Sequence, residues 1–161
     1  MAKDSRHDGG LRLTVNVPMR WGDMDAYGHI NNVEVLRIME EARIHAFGPP
    51  AGTGLPGVDV ELPIFSDLPE GTQALVVEHR VKYLVPLNYR NVPARIEVWI
   101  SAVKGASLTV AYAIFDPVTR VKCAMAETTI AFFHEGSGTV LRIAAEKKAQ
   151  LAPLLGEANF H

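Results

Sequence analysis

The sequence predicts an α+β domain in which a curved antiparallel sheet of about five strands is wrapped on one long helix. Residues 32–47 are the only early segment with the apolar period of a long helix. From residue 77 onward the period changes to two, as in strands with one buried face. The turns between these strands are too short for the crossover that a parallel neighbour needs, so the strands must pair antiparallel.

Length and composition limit the class of protein. The 161 residues are 48% hydrophobic and 21% charged, which is typical of one globular domain with a sizeable core. The formal net charge of −2 gives no general attraction to nucleic acid or to an anionic membrane. The N-terminus lacks the apolar segment of a signal peptide, and no run is long enough to span a membrane. We therefore expect a cytoplasmic protein without nucleic-acid or membrane partners.

The N-terminal residues 1–10 are polar, end in two glycines and predict a flexible leader. The single domain is then expected over residues 11–161, and its first strand over residues 11–17, where apolar and polar residues alternate. Residues 20–29 contain two glycines and two aspartates without any regular period, which predicts a loop.

The predicted helix over residues 32–47 has clear signals at both ends. Asn31 can cap its first turn, and Glu34, three residues later, can reach back as in a capping box. Gly48 and the two prolines after it end the helix. The apolar stripe predicted to face the core consists of Val35, Leu36, Met39, Ala42 and Ala46. The side predicted to face solvent consists of Glu34, Arg37, Glu41 and His45.

A Gly/Pro-rich connection over residues 48–71 leads to the strand region. Strands are predicted over residues 77–85, 92–103, 107–115 and 121–134, and a tail helix over residues 143–152. His79 falls on the apolar face of its strand and is interpreted as a core histidine. Cys123 is the only cysteine, which excludes an internal disulfide and a multi-cysteine metal site. Its place in a strand favours a small core residue.

The chemistry is expected where the loop meets the helix. Asp23 and Asp25 precede the positive end of the helix, where unpaired N–H groups can receive negative charge. A carboxylate can attack a carbonyl or deprotonate a water, while N–H groups near Asn31, Asn32 and Val33 stabilise the oxyanion. His29 adds another hydrogen-bonding group. The alternative is that these aspartates only form turns and that the asparagine is only a helix cap.

The loop and helix together resemble a known family. The run RWGDMDAYGHINN at residues 20–32, continued by LRIMEEAR at residues 36–43, is similar to the 4-hydroxybenzoyl-CoA thioesterase family of hotdog-fold acyl-CoA thioesterases. The resemblance implies that Asp25 is the essential carboxylate, that the Asn32 N–H polarises the carbonyl, and that Asp23 is a structural acid. The family's aromatic residue at the start of the helix is replaced by Asn32, as in the subgroup resembling long-chain or general acyl-CoA thioesterases.

The same resemblance implies a substrate and an assembly. An acyl-CoA would be hydrolysed without any cofactor, since coenzyme A is part of the substrate. Two chains would pair edge to edge as a homodimer or a dimer of dimers, which would also cover an exposed sheet edge. By its place in a strand turn, Lys104 matches the family's phosphate-contacting residue, and Arg90 is a weaker candidate for the same role.

Three alternatives remain open at this point. A hotdog-type hydratase would use Asp25 and His29 as an acid/base pair, although residues 26–28 lack the Asn-Pro pair that the hydratases carry. A non-catalytic module would hold an acyl thioester without cleaving it. A metal could bind His29 with the two loop aspartates, but no further His or Cys cluster supports this, so no metal is expected.

Overall fold

The structure, a computed structural model, describes residues 3–7, 10–49, 60, 62–65 and 68–160. Within this part of the chain it contains six strands and two α-helices. Single 3-10 turns lie at Trp21–Asp23 and Ala152–Leu154. The strands and helices are β1 Lys3–His7, β2 Gly10–Val17, α1 Asn32–Phe47, β3 Thr72–Tyr83, β4 Ala94–Val103, β5 Ser107–Phe115, β6 Lys122–His134 and α2 Ala145–Leu151. Most of the predicted connection over residues 48–71 lies outside the described residues.

All strand pairs are antiparallel, and the sheet order is β1-β2-β4-β5-β6-β3. Although β3 and β4 follow each other in the chain, β6 and β5 lie between them. The connection over residues 84–93 therefore crosses the end of β6, where the N–H groups of Leu84 and Val85 donate to the Cys123 carbonyl at 2.8 and 3.2 Å. This crossing brings the connection beside the start of α1.

Helix α1 packs its buried side on one face of the sheet and has the bounds that the sequence predicts. Val35, Met39 and Ala42 are buried as predicted, but Leu36 is 37% exposed and Ile38 is fully buried in its place. Position 38, three residues after 35 and four before 42, lies on the buried face, whereas position 36 is turned about 100° away from 35. The prediction for Leu36 is therefore wrong.

The N-terminal residues differ from the prediction of a flexible leader. Lys3–His7 form strand β1 and pair with β2 in the register Lys3 to Thr14 through His7 to Gly10. The sheet therefore has one strand more than the five predicted. No hydrophobic pattern marks this short strand, because a polar strand can still complete its backbone hydrogen bonds on a neighbouring edge. The tail helix is also shorter than predicted, covering Ala145–Leu151.

Strand β3 pairs with β6 only, so within the described chain it is an edge of the sheet. It begins five residues earlier than predicted and ends at Tyr83. Most of its side chains are exposed, including His79, so the interpretation of His79 as a core residue is wrong. Its Nδ1 lies 2.9 Å from Oγ1 of Thr128. Alternation predicted a buried face here, but the contacts that reach this end strand, such as Phe160 on Arg80 and Asn32 on Tyr83, leave most of its side chains exposed.

None of the helices in the described residues combines the length and the apolar character needed to cross a membrane.

Candidate active site

The loop before α1 is a tight hairpin closed by backbone hydrogen bonds. The Asp25 N–H donates to the His29 carbonyl at 2.7 Å, and Gly28 makes the turn with a φ of 78°. The base of the hairpin is anchored on the connection after β3, because the Ile30 N–H donates to the Leu87 carbonyl at 2.7 Å. These hydrogen bonds therefore hold the loop in one position between α1 and the crossing segment, residues 84–93.

Asp23 is fully buried and holds the loop to the helix. Its carboxylate accepts hydrogen bonds from the Arg20 N–H at 2.8 Å, Arg20 Nε at 3.1 Å and Arg37 Nη2 at 2.5 Å. Burial by itself would raise the pKa of this carboxyl, but the Arg20 hydrogen bonds and the two guanidinium charges outweigh it and lower the pKa. These contacts agree with the structural role that the resemblance implies.

Asp25 is only half-buried, and its two carboxylate oxygens are in different environments. Oδ1 accepts the N–H groups of Tyr27 at 2.8 Å and His29 at 3.1 Å, which fixes the orientation of the side chain. No residue in the described part of the chain donates to Oδ2. Asp25 therefore presents one oriented, unoccupied carboxylate oxygen at the pocket described below.

The first turn of α1 leaves one N–H group available. The Asn31 side chain caps the Val33 N–H at 3.1 Å, and the Asn31 N–H itself donates to the Asp23 carbonyl at 2.8 Å. Glu34 does not close the predicted capping box, because its carboxylate accepts from Arg37 Nε at 3.0 Å instead. Of the three N–H groups that the sequence indicates, only that of Asn32 has no acceptor among the described residues.

A pocket of about 220 Å³ lies where the loop, the helix start and the crossing segment meet. Asp25 and Asn32 line it together, so a carboxylate and the positive end of a helix share one cavity. This pairing suits attack on a carbonyl whose oxygen becomes negative. The pocket is lined by Asp25, His29, Ile30, Asn32, Val35, Tyr83, Leu84, Val85, Pro86, Leu87, Ile114, Cys123 and Ala124.

Three of the four predicted catalytic residues meet in this pocket, namely Asp25, His29 and Asn32, while Asn31 caps the adjacent helix turn. Their catalytic roles stay predictions. His29 lines the pocket, and its backbone N–H donates to the Asp25 carboxylate.

The predicted phosphate-binding residues lie elsewhere. Lys104 is exposed in the turn between β4 and β5, and the length of β4, roughly 30 Å, separates it from the pocket end of the sheet. Arg90 lies at the pocket end, but its Nε donates to Asp116 Oδ2 at 3.1 Å. Within one chain, Lys104 therefore cannot reach a ligand held at Asp25.

Some residues of the site were not predicted from the sequence. Tyr83 lines the pocket, and its phenol donates to the Asn32 carbonyl at 3.0 Å. Arg37, assigned to the solvated side of the helix, is the partner of the buried Asp23. Because a buried aspartate requires a cationic partner, a buried Asp23 would have indicated a nearby arginine such as Arg37. No local signal marks Tyr83, because its contact depends on the crossing of the chain.

Cys123 is buried as predicted, and it also lines the pocket. Burial is the largest influence on its thiol and raises the pKa, which keeps the thiol protonated. Within the described ranges, no three His, Cys, Asp or Glu side chains are grouped closely enough to hold a metal ion. Asp23, one of the ligands considered, is already paired with two arginines.

The region that contains the pocket residues matches the model of a known protein superfamily. The model of the thioesterase-like superfamily matches residues 19–154, which include the Asp25 loop, α1 and strands β3 to β6. The match is to the superfamily, so the narrower 4-hydroxybenzoyl-CoA thioesterase family stays a prediction. A search of the curated proteins gives no match.

Solved structures share the hotdog arrangement of sheet and helix. A predicted thioesterase from Bacillus stearothermophilus is 20% identical, with a TM-score of 0.71 over 92% of this chain and 99% of that one. The PA5185 protein from Pseudomonas aeruginosa is 24% identical, with a TM-score of 0.66 over 91% and 93% of the two chains. A thioesterase from Thermus thermophilus, complexed with coenzyme A and Zn, is 19% identical, with a TM-score of 0.63 over 88% and 92%.

Proposed function

Since the chain belongs to the thioesterase-like superfamily, and is thus a hydrolase acting on thioester bonds, we propose that it hydrolyses an acyl-coenzyme A to the free acid and coenzyme A. Asp25 acts as the nucleophile or the general base, and the Asn32 N–H polarises the thioester carbonyl. No cofactor takes part, because coenzyme A belongs to the substrate.

One observation carries this proposal: an oriented carboxylate and an unpaired helix N–H line the same pocket. Asp25 Oδ1 is held by two loop N–H groups, and no described residue occupies Oδ2. The Asn32 N–H lies at the positive end of a 16-residue helix. Attack by Asp25, or by a water that it deprotonates, moves charge onto the carbonyl oxygen, which the N–H group stabilises. Collapse of this intermediate expels the coenzyme A thiolate. It leaves the free acid when water is the attacking group, and an Asp25–acyl anhydride, which a water then hydrolyses to the free acid, when Asp25 attacks directly.

The coenzyme is the acyl carrier that the comparisons support, because one structural neighbour, the Thermus thermophilus thioesterase, is complexed with coenzyme A. Its phosphates need cations at the pocket mouth. Arg90 lies at the end of the sheet that carries the pocket, whereas Lys104 can contact the phosphates only from a second copy of the chain. The cationic contacts are therefore linked to the oligomeric state.

A second copy of the chain pairs along β3 in this proposal. The free edge of β3 would otherwise leave unpaired backbone groups and exposed apolar side chains in water. Leu75, Val76 and Val77 are 45%, 42% and 55% exposed. An antiparallel copy would bring the partner's opposite sheet end, with its Lys104 turn, toward this pocket. The assembly is a homodimer or a dimer of dimers.

The hydratase alternative has one observation in its favour, since His29 lines the same pocket as Asp25. An acid and a base in one cavity can add water to an enoyl thioester. However, the ring of His29 has no hydrogen bond to Asp25, whose contact is with the His29 backbone.

The test is release of coenzyme A thiol from a panel of acyl-CoAs, detected with a thiol reagent. Only hydrolysis frees the thiol, so the assay separates a thioesterase from a hydratase and from a binding module. Asp25→Asn preserves the acceptor for the loop N–H groups and is expected to lower turnover on the order of 1,000-fold. Glu135→Gln, at an exposed turn carboxylate, is the control and should keep full turnover. An Asp25→Asn variant with most of its turnover would show the proposed role to be wrong.

The assembly is tested by light scattering at micromolar concentration. The wild-type chain should have at least twice the monomer mass of 17.6 kDa. Val77→Lys is expected to dissociate the oligomer into monomers, because pairing along β3 would leave the lysine charge without a partner. Val118→Lys, at an equally exposed valine in the turn after β5, should not change the mass. A monomeric wild-type chain would contradict the edge pairing.

A further inference from the structure

The side chains around the pocket change in character with depth. All of the polar ones lie at the mouth and are at least partly exposed: Asp25, His29, Asn32 and Tyr83. Six others are buried and carry no charged, amide or hydroxyl group. This set, which we call the floor, consists of Ile30, Val35, Leu87, Ile114, Cys123 and Ala124. The reacting end and the apolar end of the cavity are therefore separate.

The volume limits what the cavity can hold. At 220 Å³ it is smaller than the ~300–1,000 Å³ typical of sites that enclose a drug-sized ligand. A coenzyme A moiety cannot enter, so only the acyl group of a substrate lies inside.

Resting on the proposed function, we infer that the substrates are thioesters of short, uncharged acyl groups, and that Ala124 and Cys123 limit the length of the acyl group. The carbonyl lies at the mouth with Asp25 and Asn32, and the acyl chain points to the floor. Ala124 and Cys123 have the smallest side chains of the floor and come from the same strand, β6. They therefore leave the space that the end of the acyl group fills.

The floor also discriminates by polarity. A hydroxyl or carboxylate at the far end of the acyl group would be buried without a partner, since the Cys123 thiol is already directed at the carbonyls of Pro86 and Val121, 3.8 and 3.5 Å away. Such burial is unfavourable, and the loss is expected to be at least about 10-fold in kcat/KM. Benzoyl-CoA should therefore be a better substrate than 4-hydroxybenzoyl-CoA.

The first experiment compares kcat/KM for acetyl-, hexanoyl-, octanoyl- and dodecanoyl-CoA, and for the benzoyl and 4-hydroxybenzoyl pair. Hexanoyl- or octanoyl-CoA should be the best linear substrate, with dodecanoyl-CoA about 10-fold poorer or worse. A preference for dodecanoyl-CoA or for 4-hydroxybenzoyl-CoA would overturn the inference.

The second experiment alters the floor. Ala124→Leu should lower kcat/KM for octanoyl-CoA about 10-fold relative to acetyl-CoA, because the added carbons fill the end of the cavity. Cys123→Ala removes an atom from the floor and should move the preference toward longer chains, and it tests the inference even if Ala124→Leu does not fold. Ala131→Leu, seven residues further along β6 and outside the pocket, is the control and should keep the wild-type profile. Equal losses for all chain lengths in the floor variants would overturn the inference.

A binding measurement separates this inference from the proposed function. Cys123 is the only cysteine, so its alkylation by iodoacetamide at alkaline pH reports directly on the floor. In the Asp25→Asn variant, which should release little coenzyme A thiol, octanoyl-CoA should slow alkylation at least about 10-fold more than acetyl-CoA, and dodecanoyl-CoA should protect less. If no thioester is hydrolysed, the proposed function fails, and this protection pattern still supports the short-acyl floor. Equal protection by acetyl-CoA would overturn it.

Discussion

The phenol of Tyr83 donates a hydrogen bond of 3.0 Å to the backbone carbonyl of Asn32, across 51 positions of sequence. The contact joins the last residue of β3 to the first residue of α1. Burial raises the pKa of Tyr83, so the phenol keeps its proton and remains a donor throughout the neutral range. Tyr83 thus holds the helix turn that supplies the Asn32 N–H.

Tyr83→Phe removes this hydrogen bond with little change in shape. We expect turnover to fall about 10-fold while KM changes little, because the oxyanion donor is displaced and substrate binding is kept. Tyr89→Phe is the control, since the Tyr89 phenol makes only a local bond to Asn91 at 3.2 Å. Steady-state kinetics on both variants checks the prediction, and equal losses in the two would contradict a positioning role for Tyr83.

Asn31→Ala removes the helix cap. The lost side-chain bond to the Val33 N–H should lower the free energy of unfolding by about 1 kcal/mol. Turnover should fall more than this implies, on the order of 100-fold with little change in KM, because a shifted first turn misplaces the oxyanion donor. Denaturant unfolding and steady-state kinetics measure both effects. Asn16→Ala, at an exposed strand position, should change neither. Full activity of Asn31→Ala would argue against the helix terminus.

His29→Ala distinguishes the two catalytic mechanisms. The His29 backbone N–H, which holds Asp25, is retained in this variant. In the thioesterase mechanism the ring of His29 transfers no proton to or from the substrate, so measurable hydrolysis should remain. In a hydratase the ring would be part of the acid/base pair, and water addition to an enoyl-CoA should be lost. Inactive His29→Ala together with fully active Asn31→Ala would favour Asp-His chemistry.

Asp23→Asn should change how stability depends on pH. The pKa of Asp23 is lowered in the folded state, so its stabilisation is present above the ordinary carboxyl pKa and is lost as the pH falls through the lowered value. We expect the variant to be about 3 kcal/mol less stable at pH 7. The difference should shrink below about pH 4. Denaturant unfolding across this range tests the prediction, and a difference independent of pH would contradict it. Turnover should fall less than in Asp25→Asn.

The elements predicted correctly are those with signals close together in the chain. Helix α1 begins after the Asn31 cap and ends at Gly48, whose φ of 85° suits a residue without Cβ. The turn after β4 closes with the Lys104 N–H donating to the Ser107 carbonyl at 2.8 Å. In both cases the hydrogen bonds that define the element join residues within a few positions of each other.

The errors in the strands arise from long-range contacts, whereas the error at Leu36 is local, because position 36 is turned away from the buried side of α1. His79 has the alternation of a core position, but whether the face of a strand is buried depends on what covers it. Strand β3 is at the edge of the sheet, and His79 stays exposed there although Arg43 and Glu40 of α1 lie within electrostatic range of it. The sequence predicts a leader where strand β1 lies, because this strand forms by pairing with the edge of β2 and has no local hydrophobic pattern.

By itself, the sequence determined the polar end of the pocket, because Asp25, His29 and Asn32 lie within eight residues at one loop-helix junction, where local hydrogen bonds orient them. Only the tertiary structure decided the rest of the pocket. Because β3 pairs with β6, the crossing segment passes over Cys123 and closes the apolar floor of the pocket. The same pairing brings Tyr83 to Asn32. The same strand order places Lys104 at the far end of β4. These contacts depend on which strands become neighbours, a choice made by burial of the whole core rather than by any local signal.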